Sequence, residues 1–403
     1  MSTYQKIQFI AYEINTGPKM VSREVGRYKG LTNDSDDMVA RQNWTFEVLT
    51  QALAKADRSK DTLKVFMMPE FYFRGVKGAY SLEIVTKLID GLQHQVRGPE
   101  WNDWLIVYGT IVGYSSVTRF GNVNWLQKLW GKLCGDDLYP IDEEKAKTIY
   151  NFSLIQKGGW APDSNMLSPA QMNDALESKC FVTMKEFMSD IDFVLVTNGK
   201  SSTGFSLSRV MHLDQKDVRS TVIREPGREE RRVNYEGACL FEIDGIQFGL
   251  EICLDHAKSR LKNSPRPENL PPIQVQLVPS CGWHLGAEAM VTMKGGYGFN
   301  VEGLNGKEKN DHGATSQLAI VTSDPLGRVK IMADKSVDPR TTIEDVSTPP
   351  VMVPLINEPY NFSSLFARGV AQLAIYQAVN VPGVKEPEKI ESGVRPEKWR
   401  PQP

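Results

Sequence analysis

Apolar residues in this chain fall into two rhythms. Short runs dense in β-branched and aromatic residues, closed by turn formers, predict strands: "KIQFIAYEI" at 6–14, "LKVFMMP" at 63–69, "WLIVYGTIVG" at 104–113 and "YNFSLIQKGG" at 150–159. Later runs of the same kind are "DFVLVTNG", "ACLFEIDGIQFGLEIC", "IQVQLVPS" and "LAIVTSDPLGRVKI". Between the first two lies "DSDDMVARQNWTFEVLTQALAKA", where Val39, Trp44, Val48, Leu49 and Leu53 recur at near-helical spacing behind an acidic start. A strand, a helix and a strand in that order predict an α/β protein with a largely buried sheet. Asp244-Gly245, between two β runs, marks a hairpin. Polar stretches near 124–147, 198–232 and 295–311 read as insertions into a domain spanning 1–346, and the proline-rich 347–403 reads as a C-terminal extension crossing the surface.

Composition narrows the classes of function. The 403 residues are 41% hydrophobic and 24% charged, enough for a sizeable core, and 47 Lys plus Arg stand against 49 Asp plus Glu. That balance gives no global attraction for nucleic acid or an anionic membrane. The opening lacks a signal-peptide layout and no apolar run approaches the roughly 20 residues of a membrane helix, so a cytoplasmic location is expected. Five scattered cysteines without a C-x-x-C pair argue against a disulfide framework or a zinc site, and no histidine pair has metal-ligand spacing. No metal or organic cofactor is expected. The glycine-rich "KGGYGFNVEGLNG" lacks the Walker pattern and its lysine.

Chemistry gathers at strand ends. Ligands of α/β sheets sit beyond the carboxyl ends of strands, and both Glu70 and Cys253 follow strands there. A carboxylate closing an apolar strand needs a partner or a cleft; a helix cap or an ion pair would serve as well. Cys253 precedes a helix expected to begin around Asp255, whose unpaired N–H groups would favour a thiolate and could bind an oxyanion. A small buried core residue is the alternative for this thiol.

The segments "VFMMPEFYF", "IYNFSLIQKGG" and "FGLEICLDHA" resemble, in order and spacing, those that mark the nitrilase or carbon–nitrogen hydrolase superfamily. The resemblance covers most of residues 5–332. It implies a four-layer α-β-β-α sandwich, with Glu70 as general base, Cys253 as nucleophile and the backbone N–H of Leu254 helping to hold the oxyanion. It also implies a catalytic lysine after the Y-N strand. Lys185, at the end of the β-rich "CFVTM", fits that place better than Lys179 in "ESK". The implied activity is hydrolysis of a non-peptide carbon–nitrogen bond through a thioester, with an amide or carbamoyl substrate favoured over a nitrile because "CLD" differs from the W-E that follows the cysteine of true nitrilases. A homodimer or larger assembly is implied by the same analogy. An inactive scaffold that keeps the fold, and acyl transfer to an acceptor other than water, are the other readings.

The remaining polar residues carry two readings each. Glu251, two before Cys253, could support Lys185 or the base, or form an ion pair between sheets. Asp255 reads as a helix cap, and Cys253 with His256 only weakly suggests a papain-like pair. Phe71, Trp283 and His284 are candidates for a substrate pocket. Arg74 could bind a substrate carboxylate or make a surface salt bridge.

Overall fold

The β runs assemble into two sheets, of ten and six strands, in a computed structural model that describes residues 4–20, 26–116, 147–161, 171, 175–176, 178–187, 192, 196–197, 200–201, 240–263, 271–304, 314–323, 342–355, 362–367 and 371–383. In chain order the principal strands are β1 (Lys6–Glu13), β2 (Thr62–Met67), β3 (Trp104–Val107), β4 (Ile111–Ser116), β5 (Lys147–Lys157), β6 (Cys180–Met184), β7 (Leu240–Ile243), β8 (Ile246–Leu250), β9 (Val275–Ser280), β10 (Tyr297–Glu302), β11 (Thr315–Val321), β12 (Ile343–Asp345), β13 (Val351–Pro354) and β14 (Gln372–Ile375).

The first sheet runs β13-β14-β1-β2-β3-β5-β4, with β6 paired to β5 and the two-residue strands Tyr80–Ser81 and Val379–Asn380 paired to β4 and β1. Its centre, β1-β2-β3, is parallel, which requires the crossover helix α1 (Asp34–Lys55) between the first two strands. The Asn33 side chain caps that helix by accepting from the N–H of Ser35 and Asp36. A second helix, α2 (Leu82–Gln95), lies beside it. The second sheet runs in sequence order from β7 to β12, with β8-β9-β10 parallel. The predicted hairpin joins β7 to β8, and both its turn residues have positive φ, 49° at Asp244 and 82° at Gly245.

Alternation decides which face goes where. Ile7, Phe9 and Ala11 of β1 meet Phe248 and Leu250 of β8, Leu277 of β9 and Phe299 of β10 in a core between the sheets. Ile10 and Tyr12 point the other way, onto Trp44, Val48 and Leu49 of α1 and Leu88 and Leu92 of α2. Fully burying one such side chain contributes about 1.5–3 kcal/mol. The outer face of the second sheet is covered, among the described residues, by the single turns α3 (Leu254–Ala257) and α4 (Arg260–Asn263), a 3-10 turn at Ala287–Ala289 and the loop side chains Leu285, Met290 and Val291. The α/β sandwich of two sheets is as expected, with long helices on one side and short turns on the other.

Three expectations change. Val39 faces outward at 47% exposure; Met38 and Arg41 occupy the buried stripe of α1 instead. The 295–311 stretch is not wholly an insertion, because Tyr297–Glu302 is the fully buried strand β10, whose glycines and asparagine hide a β pattern. Nor is 347–403 merely an extension: β13 and β14 complete the first sheet, β14 pairing antiparallel with β1, and Val379–Asn380 pairs with the other end of β1. Leu373 and Ala374 face opposite cores, so a proline-rich segment still supplies a buried strand. The expected insertions at 124–147 and 198–232 lie outside the described residues, apart from Lys147 and the two-residue strand Lys200–Ser201, as do 305–311 and 384–403.

Candidate active site

Four turns at the carboxyl ends of the parallel strands converge. Glu70 lies just beyond β2, Cys253 just beyond β8, Cys281 follows β9, and Gly303 follows β10. Their backbones are tied across the gap: Glu70 N–H donates to Ser280 O at 3.3 Å, Cys253 N–H to Pro279 O at 3.1 Å, and Gly303 N–H to Ser280 O at 2.9 Å. Both sheets thus supply one site.

The Glu70 turn is held from several sides. Phe71 has φ 66°, and its N–H donates to Thr110 Oγ1 at 2.8 Å. Thr16 Oγ1 donates to Glu70 O at 2.5 Å. Gly109 is required next door, since a Cβ there would stand 2.0 Å from Pro69 O. Cys253 is also off the usual backbone regions, at φ 50° and ψ −104°. Left-handed conformations of this kind in non-glycine residues cost about 1–3 kcal/mol each and persist where the surroundings over-determine them.

Between the two turns stands Lys185, directly after β6. Its Nζ donates to Glu70 Oε1 at 2.8 Å and to Asp192 Oδ1 at 2.6 Å, all three side chains being buried. Asn151 Nδ2 donates to the same Glu70 oxygen at 2.9 Å. Glu70 Oε2 is buried and makes no hydrogen bond among the described residues. The Cys253 thiol is close enough to bias this carboxylate toward its charged form. One oxygen is therefore committed to the ammonium and the amide, and the other is left for a proton. Lys179, at the opposite end of β6, donates to Gly159 O at 3.4 Å, its one side-chain hydrogen bond among the described residues.

Electrostatics sets the resting state. Burial raises the proton affinity of Glu70; Lys185 opposes this and Asp192 adds to it. Burial and then Glu70 push the Cys253 thiol well up. The helix N-terminus does not offset this: α3 has four residues, and its dipole is small beside the desolvation of a buried thiol. Burial works against the charge of Lys185, but Asp192 and Glu70 outweigh it and hold the ammonium well above the ordinary lysine value. A neutral thiol beside a carboxylate of raised proton affinity and a fixed cation is an arrangement for moving one proton.

Asp255 is not a helix cap. Its carboxylate accepts from the N–H of Glu186 at 3.0 and 3.1 Å and of Phe187 at 2.8 Å, and from Arg260 Nη1 at 3.0 Å. Arg260 also donates to Met184 O at 2.8 Å and pairs with Glu186 at 3.0 Å. This buried network clamps the end of the lysine strand to the Cys253 turn. Replacing Arg260 with Met leaves Asp255 and Glu186 buried without their cation, and is expected to destabilise the fold by about 3–5 kcal/mol. Denaturant unfolding measures it; a loss below about 1 kcal/mol would reduce the clamp to ordinary surface-pair strength.

Glu251 supports neither Lys185 nor Glu70. Its oxygens accept from His256 Nδ1 at 2.7 Å, Gln276 Nε2 at 2.7 Å and Leu261 N–H at 2.6 Å, because it points to the outer face of the sheet. His256 Nε2 accepts from Gly286 N–H at 3.0 Å, so both ring nitrogens are engaged and no papain-like pair exists. Leu254 N–H has no backbone acceptor among the described residues, as the first turn of a helix dictates. Phe71 packs beside Lys185, its ring centroid 5.5 Å from Nζ. Trp283, at 41% exposure, and His284 stand in the exposed loop after β9 and do not line the recess at Phe71. Arg74 is buried, not a surface residue. The contact of Asp192 with Lys185 was not legible in the sequence and needed the fold.

Comparison with known proteins gives likeness in structure only. No protein-family model and no curated protein matches the chain in sequence. The chain is similar to a solved structure of an amidase from Nesterenkonia sp., with 8% identity, 92% of this chain and 90% of that one covered, and a TM-score of 0.38. It is also similar to a mutant of the Nesterenkonia AN1 amidase "from the nitrilase superfamily", at 9% identity, 92% and 91% coverage and a TM-score of 0.38. A further mutant, showing the result of Michael addition of acrylamide at the active-site cysteine, matches at 9% identity, 80% and 87% coverage and a TM-score of 0.34.

Proposed function

We propose that the protein is a cysteine-dependent hydrolase of non-peptide carbon–nitrogen bonds, acting on a small amide or carbamoyl compound. The observation that carries this reading is the convergence of Glu70, Lys185 and Cys253 in one buried site, with Lys185 donating to Glu70 Oε1 and Glu70 Oε2 making no hydrogen bond among the described residues. Glu70 takes the thiol proton as sulfur attacks the carbonyl carbon. The negative charge moves from the carboxylate to the carbonyl oxygen, beside Lys185 and the Leu254 N–H. No net charge is created in the dry site, because the ammonium stays between Asp192 and the reacting groups. Glu70 then passes its proton to the departing ammonia or amine, leaving a thioester. Water, deprotonated by the same carboxylate, releases the acid.

Ammonia release from a panel of small amides, carbamoyl compounds and nitriles tests the activity. Turnover of amides with Cys253 intact supports the reading, and a panel with no turnover and no adduct on Cys253 overturns it. The pH profile adds a check. The base must be ionised, and its proton affinity is raised, so the acid limb of kcat/KM is expected above the ordinary carboxylate value of 4.5. Lys185 keeps its charge, so no alkaline limb is expected below 10.5. Glu70→Gln should lower kcat about a hundredfold and flatten the acid limb; normal turnover in that variant would leave Glu70 as an ion-pair partner only.

A further inference from the structure

We propose that Glu302 is a positioning residue for the nucleophile: it fixes the Cys281–Gly282 peptide so that the Cys281 carbonyl faces Cys253 and aims its thiol. This rests on the hydrolase reading above and adds a residue to the same site. Glu302 ends β10 at the converging strand ends, opposite Ser280 of β9, and is buried. Its Oε1 accepts from the N–H of Gly282 at 2.6 Å and of Leu304 at 2.5 Å, while Oε2 makes no hydrogen bond among the described residues. One oxygen thus carries the whole of its contact with the backbone.

The peptide that Glu302 holds is the one that meets the sulfur. Cys253 Sγ donates to Cys281 O at 3.8 Å. That carbonyl and the Gly282 N–H belong to one planar trans unit and point in opposite directions. Anchoring the N–H on Glu302 therefore turns the oxygen toward Cys253. The reverse orientation would bring the carbonyl oxygen onto the Glu302 carboxyl, so attraction for one end of the peptide and repulsion of the other act together. Glycine makes such a hold necessary. Gly282 has φ 105°, and a Cβ there would meet only Leu304 Cδ2, at 3.9 Å, so the conformation and not a lack of space calls for the most freely rotating residue. On either side the turn is already fixed: Ser280 O accepts from the N–H of Glu70 and Gly303, and Ser280 Oγ donates to Trp283 O at 2.6 Å.

The hold matters in one chemical state. A thiol has a proton to place, and Cys281 O accepts it. An acceptor on that side keeps the sulfur in the gap where the carbonyl carbon arrives, until the proton passes to Glu70 on attack. Once acylated, sulfur carries no proton and the contact with Cys281 O is gone. Glu302 thus acts on formation of the thioester and not on its hydrolysis. Its charge is not required. Burial pushes the carboxyl up to about 7, with the N–H groups of Leu304 and Gly282 opposing. A proton on Oε2 leaves Oε1 accepting, and the amide oxygen of a glutamine would accept in the same place.

The test compares Glu302→Leu, which removes the acceptor, and Glu302→Gln, which keeps it, with wild type on the full chain; Glu302→Met replaces the leucine variant if that one does not fold. The probe is p-nitrophenyl acetate: sulfur bonds to the acetyl carbon, the ester C–O bond breaks, Glu70 takes the thiol proton and p-nitrophenolate leaves. Acylation should slow about tenfold or more in Glu302→Leu and stay within about threefold of wild type in Glu302→Gln. After excess ester is removed, the acyl mass on the Cys253 peptide should disappear at within about twofold of the wild-type rate in both variants. General loosening of the site would slow both steps, because Glu70 and Lys185 serve both. Equal slowing of the two steps, unchanged acylation in Glu302→Leu, or a glutamine variant as slow as the leucine one overturns the proposal. Crystal structures of the variants read the peptide without any reaction: Cys281 O should face Cys253 Sγ in Glu302→Gln and turn away in Glu302→Leu, and an unmoved carbonyl overturns the positioning role. Acylation by the ester with no hydrolysis of any amide overturns the hydrolase reading and leaves the Glu302 result standing.

Discussion

Cys253→Ala is expected to abolish turnover completely, and with it a covalent acyl adduct that mass spectrometry of the wild-type protein should find on the peptide containing Cys253. In the proposed reaction sulfur is the atom that bonds to carbon, so no neighbouring group would replace it. Cys281 is the informative control. Its carbonyl lies 3.8 Å from Cys253 Sγ, and its own thiol is buried and pushed well up in proton affinity by burial and by Glu70 and Glu302. It is placed to shape the site, and Cys281→Ala should retain the adduct and most of the turnover. Cys180 lies in the core on the other side of the first sheet, with Gln93 Nε2 donating to it at 3.3 Å, and its replacement should leave the chemistry intact. Full activity in Cys253→Ala, or an acyl mass on the Cys281 peptide alone, would move the nucleophile.

The second large effect separates two lysines. Lys185→Ala removes a cation that touches two buried carboxylates and stands where the oxyanion would form. A lost donor of this kind costs roughly 3 kcal/mol or more of transition-state stabilisation, and kcat should fall by about a thousandfold. Part of that fall comes from Glu70 itself, which loses the neighbour that opposes its protonation. The acid limb of the pH profile should therefore move upward in Lys185→Ala, a shift that simple loss of folded protein does not produce. Lys179→Ala removes only a long contact to a carbonyl at the far end of the strand, and its turnover should match wild type. Two active variants would take lysine out of the mechanism, and an inactive Lys179→Ala beside an active Lys185→Ala would reverse the assignment.

Short-range signals in the sequence determined a good deal about this protein. The strand before "PE", the Y-N strand, the strand before Cys253 and the Asp244-Gly245 turn were all readable, because alternation, proline and positive-φ turns act over a few residues. They also set Glu70, Lys185 and Cys253 at strand ends. Tertiary structure decided what those residues meet. β14 joins β1 from the far end of the chain, and Asp255 grips the backbone at Glu186 and Phe187 across the two sheets. Asp192 is a mere polar residue in a string, yet in the fold it fixes the charge of Lys185. Glu251 and Cys253, two apart, looked equivalent by strand spacing; the turn at Cys253 leaves φ at 50°, and the two side chains finish with different partners. The thiol's proton affinity was decided in the same way. A sequence shows a cysteine before a helix, whereas proton affinity depends on how completely water is excluded and on which charges replace it, and both are set by groups distant in the chain.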